Sequence, residues 1–134
     1  PKDQQRVDWG GPALVAWNGS TEACAALRAA VPLLQKASKV HLASVAEKKP
    51  RVKHDLPPVE GAEYLSRHGI HAEMVELPQG EDNVADTLLA AAGVRGCAYM
   101  VMGAYGHSRL AELVLGGVTR NMLSEPQMPV LLAH

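Results

Sequence analysis

Residues 99–134 read YMVMGAYGHSRLAELVLGGVTRNMLSEPQMPVLLAH, and the punctuation of this stretch decides the fold. An apolar run, Tyr99–Met102, stops at Gly103; a second glycine, Gly106, follows, and after nine intervening residues comes the pair Gly116-Gly117. Val118-Thr119-Arg120-Asn121-Met122-Leu123 then reads as a helix opening, and a last apolar run, Pro129–Ala133, as a strand. A strand that feeds a glycine-punctuated loop, which feeds a helix N-terminus, suits the holding of phosphate. Backbone N–H groups approach an anion closely only where no side chain intervenes, and the helix dipole favours negative charge there.

The rest of the chain reads as a scaffold around that loop. Pro1–Gly11 is polar and aperiodic, which marks residues 1–11 as a tail or linker. Pro12–Trp17 is a short apolar run bounded by Gly11 and by Asn18-Gly19-Ser20, as a strand buried on both faces would be. Ser20 supplies a helix cap, followed by Ala23, Ala26, Leu27, Ala30, Val31 and Leu34 at helical spacing, with Pro32 expected to kink the helix or split off its last turn. Lys39–Ala46 reads as a second strand, 47–58 as a Lys- and Pro-rich loop, Val59–Arg67 as a short helix with Gly69 as its C-cap. Ile70–Leu77 alternates as a more exposed third strand would. A helix opens at Asp82 or Asn83 and stops near Gly93, and Cys97–Met102 is the fourth strand. Strands alternating with helices predict a parallel sheet covered on both faces. In such a sheet ligands bind at the carboxyl ends of the strands, where the direction of connection reverses. The turn after the first strand and the glycine loop after the fourth face each other there if those strands are neighbours.

Composition narrows the function. The chain has 134 residues, 47% of them apolar, 20% charged and none of them Phe, so one domain with an aliphatic core is expected. A net charge of −1 argues against nucleic acid or anionic membrane as main partner. Cys24 and Cys97 sit in Ala-rich surroundings and read as two buried thiols in a reducing compartment; with no signal peptide or membrane-length apolar run, a cytoplasmic location is expected. Neither GxxxxGK[ST] nor GxGxxG after the first strand is present.

What the residues do match is a family pattern. Gly103-x2-Gly106-x9-Gly116, then a small residue and Val-Thr, resembles the glycine signature of the universal stress protein domain. Leu14–Ser20, the Ala-rich first helix and the closing PVLLAH are similar as well, so the resemblance spans residues 12–134, and 102–123 looks like the second half of a tandem two-domain member. The resemblance implies a three-layer α/β/α sandwich, a five-stranded parallel sheet in order 3-2-1-4-5 of the adenine nucleotide alpha hydrolase-like kind, and dimerisation through the last strand or pairing with a tandem domain. It also implies, in one branch, ATP binding with Mg2+ arriving alongside. Carried over to this chain, the loop amides of Gly103, Gly106, Gly116 and Gly117, with Val118 and Thr119, would hold the phosphates. Ala16 and Asn18 would approach the ribose and base, and Val45 the adenine; Met102 reads mainly as core, although it directly precedes the glycine loop and could touch a base. Two residues depart from the pattern: Gly117 stands where a hydroxyl is usual, and Asn18 where an acid is usual.

Several side chains carry two readings each. His107, Arg109 and Arg120 could supply charge to phosphates, or the arginines could pair with Glu112 and Glu125 on the surface. Ser108 could act as an acceptor or cap a helix, and Thr119 could bond to its own turn. The basic run Lys48, Lys49, Arg51 and Lys53 could lean over a triphosphate or be simply solvated. His68 and His71 flank Gly69 without a carboxylate or thiol at ligand spacing, so no metal site is expected. No acid lies in the glycine loop before Glu112 to act as a base, so binding ranks ahead of assembly, and both ahead of phosphate hydrolysis.

Overall fold

The structure, a computed structural model, describes residues 8–46, 56–78, 84–103 and 129–133. These form strands β1 (Ala13–Ala16), β2 (Val40–Ala46), β3 (Ala72–Pro78), β4 (Tyr99–Gly103) and β5 (Val130–Ala133) with helices α1 (Thr21–Leu34), α2 (Pro58–Arg67) and α3 (Val84–Val94). The strands make one parallel sheet in the order β3-β2-β1-β4-β5. The chain walks outward from β1 to β3, with α1 and α2 as its crossovers. It then returns through α3 to the other side of β1. A right-handed crossover puts helices of opposite walking direction on opposite faces, so the α/β/α layering follows from the strand order.

The core divides along the pleat. Ala13, Val15, Val40, Leu42 and Val101 face α1 and α2, meeting Ala23, Ala26, Leu27, Ala30, Leu34 and Leu65. Leu14, Ala43, Met100 and Met102 face the other way, onto Leu88, Leu89, Ala91 and Ala92 of α3. Both faces of β1 and β4 are covered, which is why these strands read as unbroken apolar runs. β3, at the edge, is half-buried, with Glu73, Met74 and Glu76 exposed.

Local chemistry sets the ends of the elements. Ser20, in extended conformation, caps α1 by accepting the Ala23 N–H at 3.1 Å. Pro32 does not divide α1: the helix runs on to Leu34, and Gln35 N–H reaches the Val31 carbonyl at 2.9 Å. The proline removes its own N–H donor, and only two helical residues follow it. Pro58 occupies the first turn of α2, where a missing N–H costs nothing. Gly69, at φ +76°, follows the C-cap His68, and Ile70 N–H closes the motif onto the Leu65 carbonyl at 2.9 Å. Ile70 is buried there, before β3 begins. The helix α3 passes through Gly93; its terminator is Gly96 at φ +66°, and Cys97 N–H bonds to the Ala92 carbonyl at 2.9 Å.

The first described residue, Asp8, lies inside the stretch expected as a tail. Asp8 accepts the Gly10 N–H on its side chain and the Gly11 N–H on its carbonyl, each at 3.1 Å. The loop so formed sets Trp9 edge-on against the fully buried Tyr99, with ring centroids 4.8 Å apart. Cys24 and Cys97 are free and half-buried rather than buried; each flanks an apolar cluster, and partial burial raises both thiol pKa values.

Candidate functional site

The direction of connection reverses between β1 and β4, and these strands are paired in register Ala13↔Tyr99 to Val15↔Val101. Their carboxyl ends therefore lie side by side, and the Trp17–Ser20 turn sits next to Gly103. This is the position at which an open parallel sheet binds ligands.

The turn is a closed hydrogen-bonded unit. Gly19 takes φ +80°, a conformation that suits glycine. Asn18 Oδ1 accepts both the Ser20 N–H at 3.0 Å and the Ser20 hydroxyl at 2.5 Å, while the same hydroxyl oxygen caps α1. Because a backbone N–H can only donate, the carboxamide must present its oxygen inward. The exposed Asn18 thus turns its oxygen to the turn and keeps its amide N–H donors for other partners.

Three of the residues expected near a base come together. Val45 on β2, Ala16 on β1 and Met102 on β4 share the α3 face, at the carboxyl ends of three adjacent strands. Ala16 and Val45 are half-buried and Met102 nearly buried, an apolar floor beside the polar turn. Gly103 points the other way. A Cβ there would stand 2.5 Å from the Glu22 backbone carbon and 2.7 Å from the Ala23 nitrogen. The first turn of α1 lies directly on β4, and Gly103 is what allows it to. Glu22 is buried at the same contact.

Gly106, His107, Ser108, Arg109, Gly116, Gly117, Val118, Thr119 and Arg120 lie outside the described residues, as do Lys48, Lys49, Arg51 and Lys53. Among the described residues, no three His, Cys, Asp or Glu gather as metal ligands would. None of their helices is long and apolar enough to cross a membrane.

Three residues at this end of the sheet escaped the sequence reading. Trp17 is 4% exposed, and its indole N–H donates to the Leu56 carbonyl at 3.1 Å. Leu56 N–H in turn donates to the Gly19 carbonyl at 3.0 Å. Gly61, inside α2, makes room for the indole: a Cβ there would meet two of its ring carbons at 3.3 Å. The available signal was a Trp, whose N–H needs a partner when buried, together with a glycine inside a helix.

A second polar group stands away from the crevice, near the start of β2. His41 is 4% exposed, and among the described residues its Nδ1 has no hydrogen-bond partner; it lies 3.7 Å from Glu73 Oε1, while Lys39 Nζ pairs with Glu73 Oε2 at 3.2 Å. Burial lowers the His41 pKa, against the opposing pull of Glu73. The Lys39 ammonium holds the exposed Glu73 carboxyl below its ordinary value.

Comparison with known proteins agrees with this architecture. A family model described as the universal stress protein family matches residues 11–134. Over 61 residues, 46% of the chain, the sequence is 39% identical to universal stress protein Slr1230 of Synechocystis sp.; the match spans only 17% of that protein's length. Among solved structures, the chain is similar to a universal stress protein family member from Burkholderia pseudomallei, at 22% identity and a TM-score of 0.69, over 93% of this chain and 96% of that one. It is also similar to a universal stress protein in complex with cAMP, at 21% identity and a TM-score of 0.64, over 92% and 96% of the respective chains. At such identities the likeness carries the fold.

Proposed function

This chain belongs to the universal stress protein family, and from that membership we propose that it is a stress-response regulatory domain that binds an adenine nucleotide, ATP with its Mg2+ or a related one, at the carboxyl ends of β1 and β4. The observation that carries the reading is the floor of Ala16, Val45 and Met102 on one face, beside the Asn18–Ser20 turn. A flat, apolar strip of small and flexible side chains suits a purine ring, and an exposed carboxamide suits a sugar or phosphate oxygen. The complex of a similar protein with cAMP supports the same ligand class. ATP would supply the phosphates, and Mg2+ would come bound to them. Gly106, Gly116, Gly117, Val118 and Thr119 are proposed to hold those phosphates through backbone amides, with His107, Arg109 and Arg120 as charged contacts. Binding rather than turnover is the proposed activity, in the cytoplasm.

Calorimetry with Mg-ATP and with cAMP tests this. The expected result is saturable binding that collapses in Gly106→Val with the fold retained. No heat and no thermal shift at millimolar nucleotide would overturn the reading in favour of assembly. Assembly is the second reading because β5 ends the sheet: among the described residues it pairs only with β4, and an unpaired edge invites a second copy or a tandem domain. Native mass spectrometry reads bound nucleotide and oligomeric state together.

A further inference from the structure

We infer that Trp17 is a positioning residue of the crevice: a two-bond bridge through Leu56 fixes the Trp17–Ser20 turn against the start of α2. This rests on the nucleotide reading above and adds to it the element that holds the polar wall of the site in place.

Three observations converge on one point. The indole N–H of Trp17 donates to the Leu56 carbonyl, and the Leu56 N–H donates to the Gly19 carbonyl. One residue, 39 positions downstream of Trp17, is therefore bonded through both its backbone groups to the turn that carries Asn18. The α2 helix has a glycine where a side chain would press on the indole, so the ring is seated between the turn and the helix. Aromatic packing alone needs neither bond. A buried indole could satisfy its N–H on any nearby carbonyl; here the carbonyl belongs to the residue that also closes onto Gly19. Leu56 is followed by Pro57, the N-cap of α2, and by Pro58 in its first turn. Two consecutive prolines have fixed φ and leave the joint between bridge and helix little freedom. The bridge thus makes the turn and α2 move as one body, and the Asn18 carboxamide is held in one place before a ligand arrives. A site held in advance loses less entropy on binding.

The test uses Trp17→Phe, which keeps a buried ring and removes the N–H, with Trp9→Phe as control for a lost indole at the opposite end of the sheet. In Trp17→Phe, hydrogen exchange at the Leu56 and Ser20 amides should rise about tenfold, with the rest of α1 and α2 unchanged. Calorimetry should show Mg-ATP affinity weakened about five-fold, as loss of one hydrogen bond allows. Trp9→Phe should lower the melting temperature without changing affinity. A Trp17→Phe protein that binds as the wild type does overturns the inference. So does a Trp9→Phe protein that loses as much affinity. If the wild type binds neither Mg-ATP nor cAMP, the nucleotide reading falls by itself. The exchange measurement then decides the bridge, and unchanged protection at Leu56 overturns it.

Discussion

Asn18 shows what one atom's partners do to a functional reading. The family resemblance places it near the ribose and base, where an acid is usual; in the fold its oxygen already serves the Ser20 N–H and hydroxyl. Asn18→Asp restores the missing half: one carboxylate oxygen keeps the turn, and the other faces outward as an acceptor. Mg-ATP affinity should rise about five-fold, near 1 kcal/mol, measured by calorimetry. Gly103 is the converse case, found at the expected place for an added reason. The sequence offers it as a phosphate amide, and the fold requires it as the contact between β4 and α1. Gly103→Ala drives a methyl group into backbone that cannot rotate away. It should destabilise the protein by about 2–3 kcal/mol in urea denaturation, with or without nucleotide. No periodicity or spacing could disclose this, because it depends on which backbone crosses which.

At the scale of the element, helix and strand positions were legible because their causes are local. Ser20 announces α1, and the apolar spacing of Ala23 to Leu34 gives its buried face. Ser20→Ala should cost about 1 kcal/mol by removing the cap on Ala23, with an unchanged urea m-value. Two expected helix breaks turned out differently. The helix expected to stop near Gly93 runs through it to Val94, and the residue with the left-handed φ is Gly96. Pro32 looks like a breaker, yet it falls on the last turn, where little remains to break. A Trp and a glycine inside a helix were the only marks of the Trp17 bridge in the sequence, since its partner lies beyond a whole helix, a strand and a loop.

For the whole molecule, alternation predicts a parallel sheet covered on both faces, and the family resemblance implies its strand order, which the structure has. Neither implies the burial of a polar side chain. His41 sits in an apolar-looking run and becomes nearly inaccessible between β1 and the edge strand, with Glu73, Lys39 and Arg95 around it. Its pKa is lowered on folding from 6.5, so the unfolded chain binds the proton more readily. Stability is then full above about pH 6.5 and is lost as pH falls through the folded value. Glu73 contributes in a separate window, below the ordinary carboxylate range. Urea midpoints measured from pH 7.5 to 5 should decline for the wild type and stay nearly level for His41→Leu. Parallel declines would show that another group titrates.

The chain has two tryptophans, and the fold sends them to opposite poles. Trp9 lies edge-on to Tyr99 where the strands begin; Trp17 is locked beneath the turn where they end. The protein therefore carries a pair of intrinsic optical probes on separate territories. With Trp9 replaced, emission reports only the crevice end and should respond to ligand; with Trp17 replaced, it reports only the far end and should remain silent until the sheet itself comes apart.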